Sequence, residues 1–130
     1  MFLNDEYRRY EMDENKTLLF VYNADSGLFN ELKDYGKKIV DKESYQCNLC
    51  GVTFGLTGMK KEWKQYLSKL NYQTQFIHRD EFHDRYDRND RLPAVFLKKN
   101  DNFSLLISKE EIDSCDSVDE LKKLVNNKIS

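Results

Sequence analysis

The sequence predicts an α/β domain built on a central mixed sheet of about four strands with flanking helices, and three observations lead there. An unbroken β-rich apolar run at residues 17 to 22 suits a strand covered on both faces. Apolar residues then recur at helical spacing in two stretches, after residue 28 and after residue 59. Two further apolar runs flank a turn at 98 to 102, and a capping box beyond them opens a last helix.

Taken in order, residues 1 to 16 are mostly polar with Phe2, Leu3, Tyr7, Tyr10 and Met12 scattered through them. They predict an N-terminal arm or short helix ahead of a single domain at 17 to 130. Thr17-Leu18-Leu19-Phe20-Val21-Tyr22 is the central strand, broken by Asn23-Ala24-Asp25-Ser26-Gly27. Leu28, Leu32, Tyr35 and Ile39, with Phe29 and Val40, mark a first helix running to about Val40, for which Asp25 or Ser26 could supply the N-cap.

Residues 41 to 58 read as irregular and carry Tyr45, Cys47, Cys50 and the glycines Gly51, Gly55 and Gly58. Met59, Trp63, Tyr66, Leu67 and Leu70 then line a second amphipathic helix with Thr57 as its cap, which puts Trp63 and Tyr66 in the core. Residues 73 to 77 read as a strand, and the mixed-charge segment 78 to 91 as a solvated loop or short helix. Pro93 opens a strand at 94 to 97, residues 103 to 107 give its hairpin partner, and Ser117-Val118-Asp119-Glu120 starts the closing helix with Leu121, Leu124 and Val125.

Composition narrows the function classes. The 130 residues suffice for one core. Lys and Arg (21) nearly balance Asp and Glu (23), which argues against nucleic acid as a partner, because counterion-driven binding needs a basic excess. Eight Tyr, eight Phe and one Trp supply buried area that offsets a mean hydropathy of -0.81. With no basic leader followed by an apolar run, and no apolar stretch of about 18 residues, the expectation is a cytoplasmic protein without a membrane role. In that compartment the spacing Cys47-x-x-Cys50 points to redox or metal chemistry before a structural disulfide.

A strand, a helical crossover, a second strand, a hairpin opened by Leu92-Pro93 and a closing helix together resemble the thioredoxin-like fold, over about residues 17 to 129. In that family the proline before the third strand is cis and faces the redox cysteines, so the resemblance implies a cis bond at Pro93. Family oxidoreductases carry their CxxC directly after the first strand; here Asn23-Ala24-Asp25-Ser26-Gly27 stands in that place. The stretches Tyr22-Asn23-Ala24-Asp25-Ser26-Gly27, Cys47-Asn48-Leu49-Cys50, Gly58-Met59-Lys60-Lys61-Glu62-Trp63 and His78-Arg79-Asp80-Glu81-Phe82 also resemble a group of small uncharacterised bacterial proteins. That second resemblance implies no activity.

If the two early strands are parallel, both helices between them must start at the carboxyl edge of the sheet, so residues 41 to 57 have to climb back to it. The climb carries the region from Cys50 to Gly58 toward Asp25, Ser26, His78, Arg79, Asp80 and Pro93, at the edge where α/β sheets bind ligands.

Three readings of the cysteine pair stand side by side. Cys47 and Cys50 could form a dithiol/disulfide couple with no cofactor required, one attacking and one resolving, with a protein or a low-molecular-weight thiol as partner. The protein would then be a thiol-disulfide oxidoreductase. The same cysteines could hold zinc with His78 and either Asp80 or His83, giving a non-catalytic module that docks a partner along residues 25 to 27, 51 to 58 and 78 to 83. They could also be inert buried thiols. Gly58 and Lys60 lie in a glycine-rich stretch that could cradle an anion, though without Walker spacing. Arg79-Asp80-Glu81 and His83 offer acid/base groups or simply a solvated face, and Cys115 reads as packing.

Overall fold

The computed structural model describes residues 16–25, 47–55, 58–100 and 102–129. The predicted arm, apart from Lys16, and the predicted first helix from 28 to about 40 lie outside those residues. In chain order the described elements are β1 (Lys16–Val21), α1 (Asn48–Thr53), β2 (Phe54–Gly55), β3 (Gly58–Met59), α2 (Lys61–Ser68), β4 (Gln73–Ile77), α3 (Arg79–Tyr86), β5 (Ala94–Lys99), β6 (Asn102–Ile107), α4 (Lys109–Asp113) and α5 (Val118–Ile129).

The apolar run forms β1, and its position explains its composition: Leu18, Leu19, Phe20 and Val21 are all fully buried because both faces of the strand are covered. The sheet order is β4-β1-β5-β6, with β1 parallel to β4 and antiparallel to β5, and β5 antiparallel to β6. This is the four-stranded mixed sheet expected from the sequence.

Strand alternation sorts the core into two clusters. Leu18, Phe20 and Tyr22 face Trp63 and Leu67 of α2, Leu121 and Val125 of α5, and Leu49, Cys50 and Val52 of α1. Leu19 and Val21 face the other way, with Ile77, Ala94, Phe96 and Phe82 of α3. Aromatic pairs bind each layer: Phe20 stacks on Phe76 at 4.9 Å and meets Trp63 edge-on at 5.8 Å, while Phe96 lies between Phe82 (5.1 Å) and Phe103 (4.9 Å).

Four departures from the sequence reading have local causes. The described part of the segment read as irregular is ordered as α1 and a two-stranded β2/β3 ladder pairing Phe54 with Met59 and Gly55 with Gly58. Helix α2 begins at Lys61 with Lys60 at its N-cap, not with Thr57, which lies outside the described residues. The mixed-charge segment takes the short-helix alternative as α3, opened by a capping box in which His78 and Glu81 exchange bonds, and departs from the solvated reading in that Phe82 within it is fully buried. A further helix, α4, is opened by a second box between Ser108 and Glu111.

The hairpin's turn is shorter than the expected 98 to 102, because β5 runs on to Lys99 and β6 starts at Asn102, with Asn100 in the left-handed region (φ 58°) that asparagine tolerates. Ser117 caps α5 as expected, its hydroxyl accepting the Glu120 N–H at 3.2 Å. The Leu92-Pro93 bond is cis. Among the described residues no helix is long and apolar enough to cross a membrane.

Candidate functional site

The carboxyl ends of β1 and β4 are held side by side past the last ladder pair. The Tyr22 N–H donates to the Ile77 carbonyl at 3.0 Å, and the Arg79 N–H donates to the Ala24 carbonyl at 2.9 Å. The Arg79 side chain then reaches across, its Nε 3.0 Å from Asp25 Oδ1 and its Nη1 3.3 Å from Asn23 Oδ1. The Asp25 carboxylate strengthens the guanidinium's hold on its proton. Segment 22 to 25 is therefore fixed before the cysteine pair is added to it.

The pair joins this edge through Cys47. The Asn23 backbone N–H donates to Cys47 Sγ at 3.3 Å, which places the cysteine at the end of β1 although 24 residues separate the two. Cys47 is the N-cap of α1, and its sulfur takes the part usually played by a Ser or Asp oxygen, accepting the Cys50 N–H at 3.2 Å. One turn of α1 brings the Cys47 and Cys50 Cα atoms to 5.3 Å, and their sulfurs are close enough to form a disulfide. Both residues are almost wholly covered, 3% and 2% exposed.

Helix α1 is anchored at both ends. At its start the Asn48 side-chain amide donates to the carbonyls of Ile112 (2.8 Å) and Cys115 (2.7 Å), at the end of α4 and just beyond it. At its end the buried Thr53 hydroxyl donates to the Leu49 carbonyl at 2.6 Å, and the Thr53 carbonyl accepts the Lys60 N–H at 2.8 Å, tying α1 to the start of α2. Burial pushes the pKa of the Tyr22 phenol upward, an effect that Thr53 opposes only in part, so Tyr22 stays neutral. The Tyr22 ring lies 5.8 Å from both Phe54 and His78, so it fills the space between α1 and the start of α3.

The remaining predicted residues divide between those brought to this edge and those engaged elsewhere. Asp25 and Arg79 meet there as an ion pair, and Asp80, in the first turn of α3, adds its charge to the field on Arg79. Gly58 sits in β3 with φ 112°, a conformation that glycine adopts without strain, and Lys60 caps α2 through its backbone. Pro93 is buried at the head of β5, while Ser26 lies outside the described residues.

The zinc ligand set is not gathered. Among the described residues no group of three or more His, Cys, Asp or Glu side chains is placed to hold a metal ion. His78 Nδ1 is 3.0 Å from Glu81 Oε1, His83 Nδ1 is 3.2 Å from the Arg88 carbonyl, and the two sulfurs face each other. The acid/base reading of Glu81 meets a similar result: the His78 backbone N–H, then its imidazole, hold this carboxyl below its ordinary range as a helix cap. Cys115 is buried in the same cluster as the pair, and burial raises its thiol pKa.

Asn48, Thr53 and Tyr22 escaped sequence reasoning. Only Asn48 carried a local signal, as a polar residue inside the CxxC, and nothing near it in sequence names its partners 64 and 67 residues away. Compared with protein-family models, curated proteins and solved structures, the chain matches none of them.

Proposed function

We propose that this chain is a thiol-based redox protein of thioredoxin-like fold whose Cys47 and Cys50 exchange between dithiol and disulfide. Two features support the fold assignment: the β4-β1-β5-β6 order, with its parallel β1/β4 pair and antiparallel β5/β6 hairpin, and the helix that follows β6. One observation carries the chemistry. Cys47 Sγ lies within bonding reach of Cys50 and also accepts two backbone N–H groups, from Asn23 and Cys50.

In the reduced protein those N–H groups favour the Cys47 thiolate over the thiol, because hydrogen bonds to the charged form lower a pKa. Cys47 is therefore the attacking residue. Its thiolate bonds to one sulfur of a partner disulfide and expels the other as a thiolate. The Cys50 thiolate then attacks Cys47 Sγ, releasing the second partner sulfur and closing the Cys47–Cys50 bond. Two electrons pass from the pair to the partner; the reverse sequence oxidises a dithiol partner. With both sulfurs covered, a low-molecular-weight thiol needs less opening of the site than a folded protein does.

Native mass spectrometry of protein purified without chelator, before and after thiol blocking, tests the reading. The expected result is a metal-free mass that changes by about two hydrogens on reduction, with Cys47 and Cys50 blocked only in the reduced sample. One bound zinc that protects two thiols would overturn it in favour of a metal-stabilised module.

A further inference from the structure

We propose that Asn48 is the positioning residue of the couple, fixing the Cys47 sulfur against its two N–H donors by locking the first turn of α1 to the α4–α5 junction. This rests on the redox reading above. Both Asn48 amide protons are committed, at 2.8 and 2.7 Å, to the carbonyls of Ile112 and Cys115. Those acceptors stand on a rigid support. Cys115 N–H bonds the Ile112 carbonyl at 3.0 Å, Ser114 N–H bonds the Glu111 carbonyl at 3.3 Å, and Ile112 is fully buried.

The position of Asn48 in the chain gives the anchor its leverage. It follows Cys47 directly, so the clamp fixes the peptide that carries the attacking sulfur, while the donor on the other side, Asn23, is fixed by the Arg79 bridge. Cys47 Sγ is thus held between two independently anchored segments. Releasing one of them lets the 3.3 Å contact to Asn23 lengthen without breaking the 3.2 Å contact inside the turn of α1. The anchor adds little to the meeting of the sulfurs, because a three-residue separation within one turn already brings them together. Its effect falls on the thiolate, and so on the stability of the reduced state.

The test is the equilibrium of the full chain with glutathione: the protein disulfide and two glutathione thiols give the protein dithiol and one glutathione disulfide. The Cys47 thiol pKa is read in parallel from thiolate absorbance. Losing one hydrogen bond to a charged sulfur corresponds to about a tenfold change. Asn48→Ala should therefore move the equilibrium about tenfold toward the protein disulfide, about 30 mV for this two-electron couple, and raise the Cys47 pKa by about one unit.

Asn48→Ser, which keeps one donor, should show a smaller shift of the same sign and serves if the alanine variant does not fold. Tyr66→Phe, which removes another long-range bond, to Asn126 at 2.6 Å, should leave both readouts unchanged. An Asn48→Ala equilibrium within twofold of the wild type, an equal shift in Tyr66→Phe, or failure of both Asn48 variants to fold would overturn the positioning role while leaving the redox reading intact. If the wild type shows no reversible reduction of Cys47 and Cys50, the redox reading itself fails.

Discussion

Reducing the Cys47–Cys50 bond should weaken the fold only slightly, and the size of the effect follows from the loop it closes. A cross-link stabilises mainly by removing entropy from the unfolded chain, in proportion to the logarithm of the loop length. The separation here is 3 residues, so about four residues enter the expression, which gives about 6 cal/mol/K, or about 2 kcal/mol at room temperature. For a chain of this size that is a fall in Tm of about 8 °C. Urea titrations of the oxidised and reduced protein, followed by tryptophan fluorescence from the buried Trp63, should give parallel transitions with the same slope and a displaced midpoint. The reduced form should remain folded, as a couple that cycles between two states requires. Unfolding on reduction, or the same loss on adding a chelator to reduced protein, would refute this reasoning and point to a structural link or metal.

Three further outcomes follow from the core and the caps. Phe20→Ala removes a fully buried ring that contacts Phe76 and Trp63, and should cost about 3–5 kcal/mol in urea denaturation; a loss under about 2 kcal/mol would contradict the packing described. Glu81→Gln should destabilise the protein at neutral pH. The folded carboxyl is held below its ordinary value of 4.5, so its contribution is present above that value and is lost as pH falls through the lower folded pKa. Stability measured across the acid range should show the gap between wild type and variant closing, and a gap that widens in acid would overturn the cap. Arg88→Ala removes a guanidinium stacked over Phe96 and Phe103 at 5.2 and 5.3 Å and bonded to Asp90, and should cost about 1 kcal/mol by thermal denaturation.

What the sequence made legible was what local chemistry controls. An unbroken apolar run located β1, shorter apolar runs located β4 and the β5/β6 hairpin, and helical apolar spacing located α2 and α5, each to within a few residues, because each of these segments contributes side chains to the core. The Ser117 cap was readable for the same reason, since a cap acts over three residues. The Ser108-x-x-Glu111 box before α4 carries the same signal and could have been found from it. Helix α1 could not. It spans six residues, its cap is a sulfur, and its burial comes from surroundings that no local pattern records.

The site divides in the same way. The two-residue spacer of Cys47 and Cys50 marked them in the sequence as a pair able to bond, and the turn of α1 brings their Cα atoms to 5.3 Å. The need to return to the carboxyl edge followed from parallel strands alone. Only the tertiary structure decided which backbone groups meet the Cys47 sulfur, that Asn48 is clamped to Ile112 and Cys115, and that His78 and His83 serve elsewhere. Those contacts join residues 24 to 67 positions apart or depend on how a helix is capped. Their geometry is set by the packing of whole elements, and a one-dimensional pattern holds no term for it.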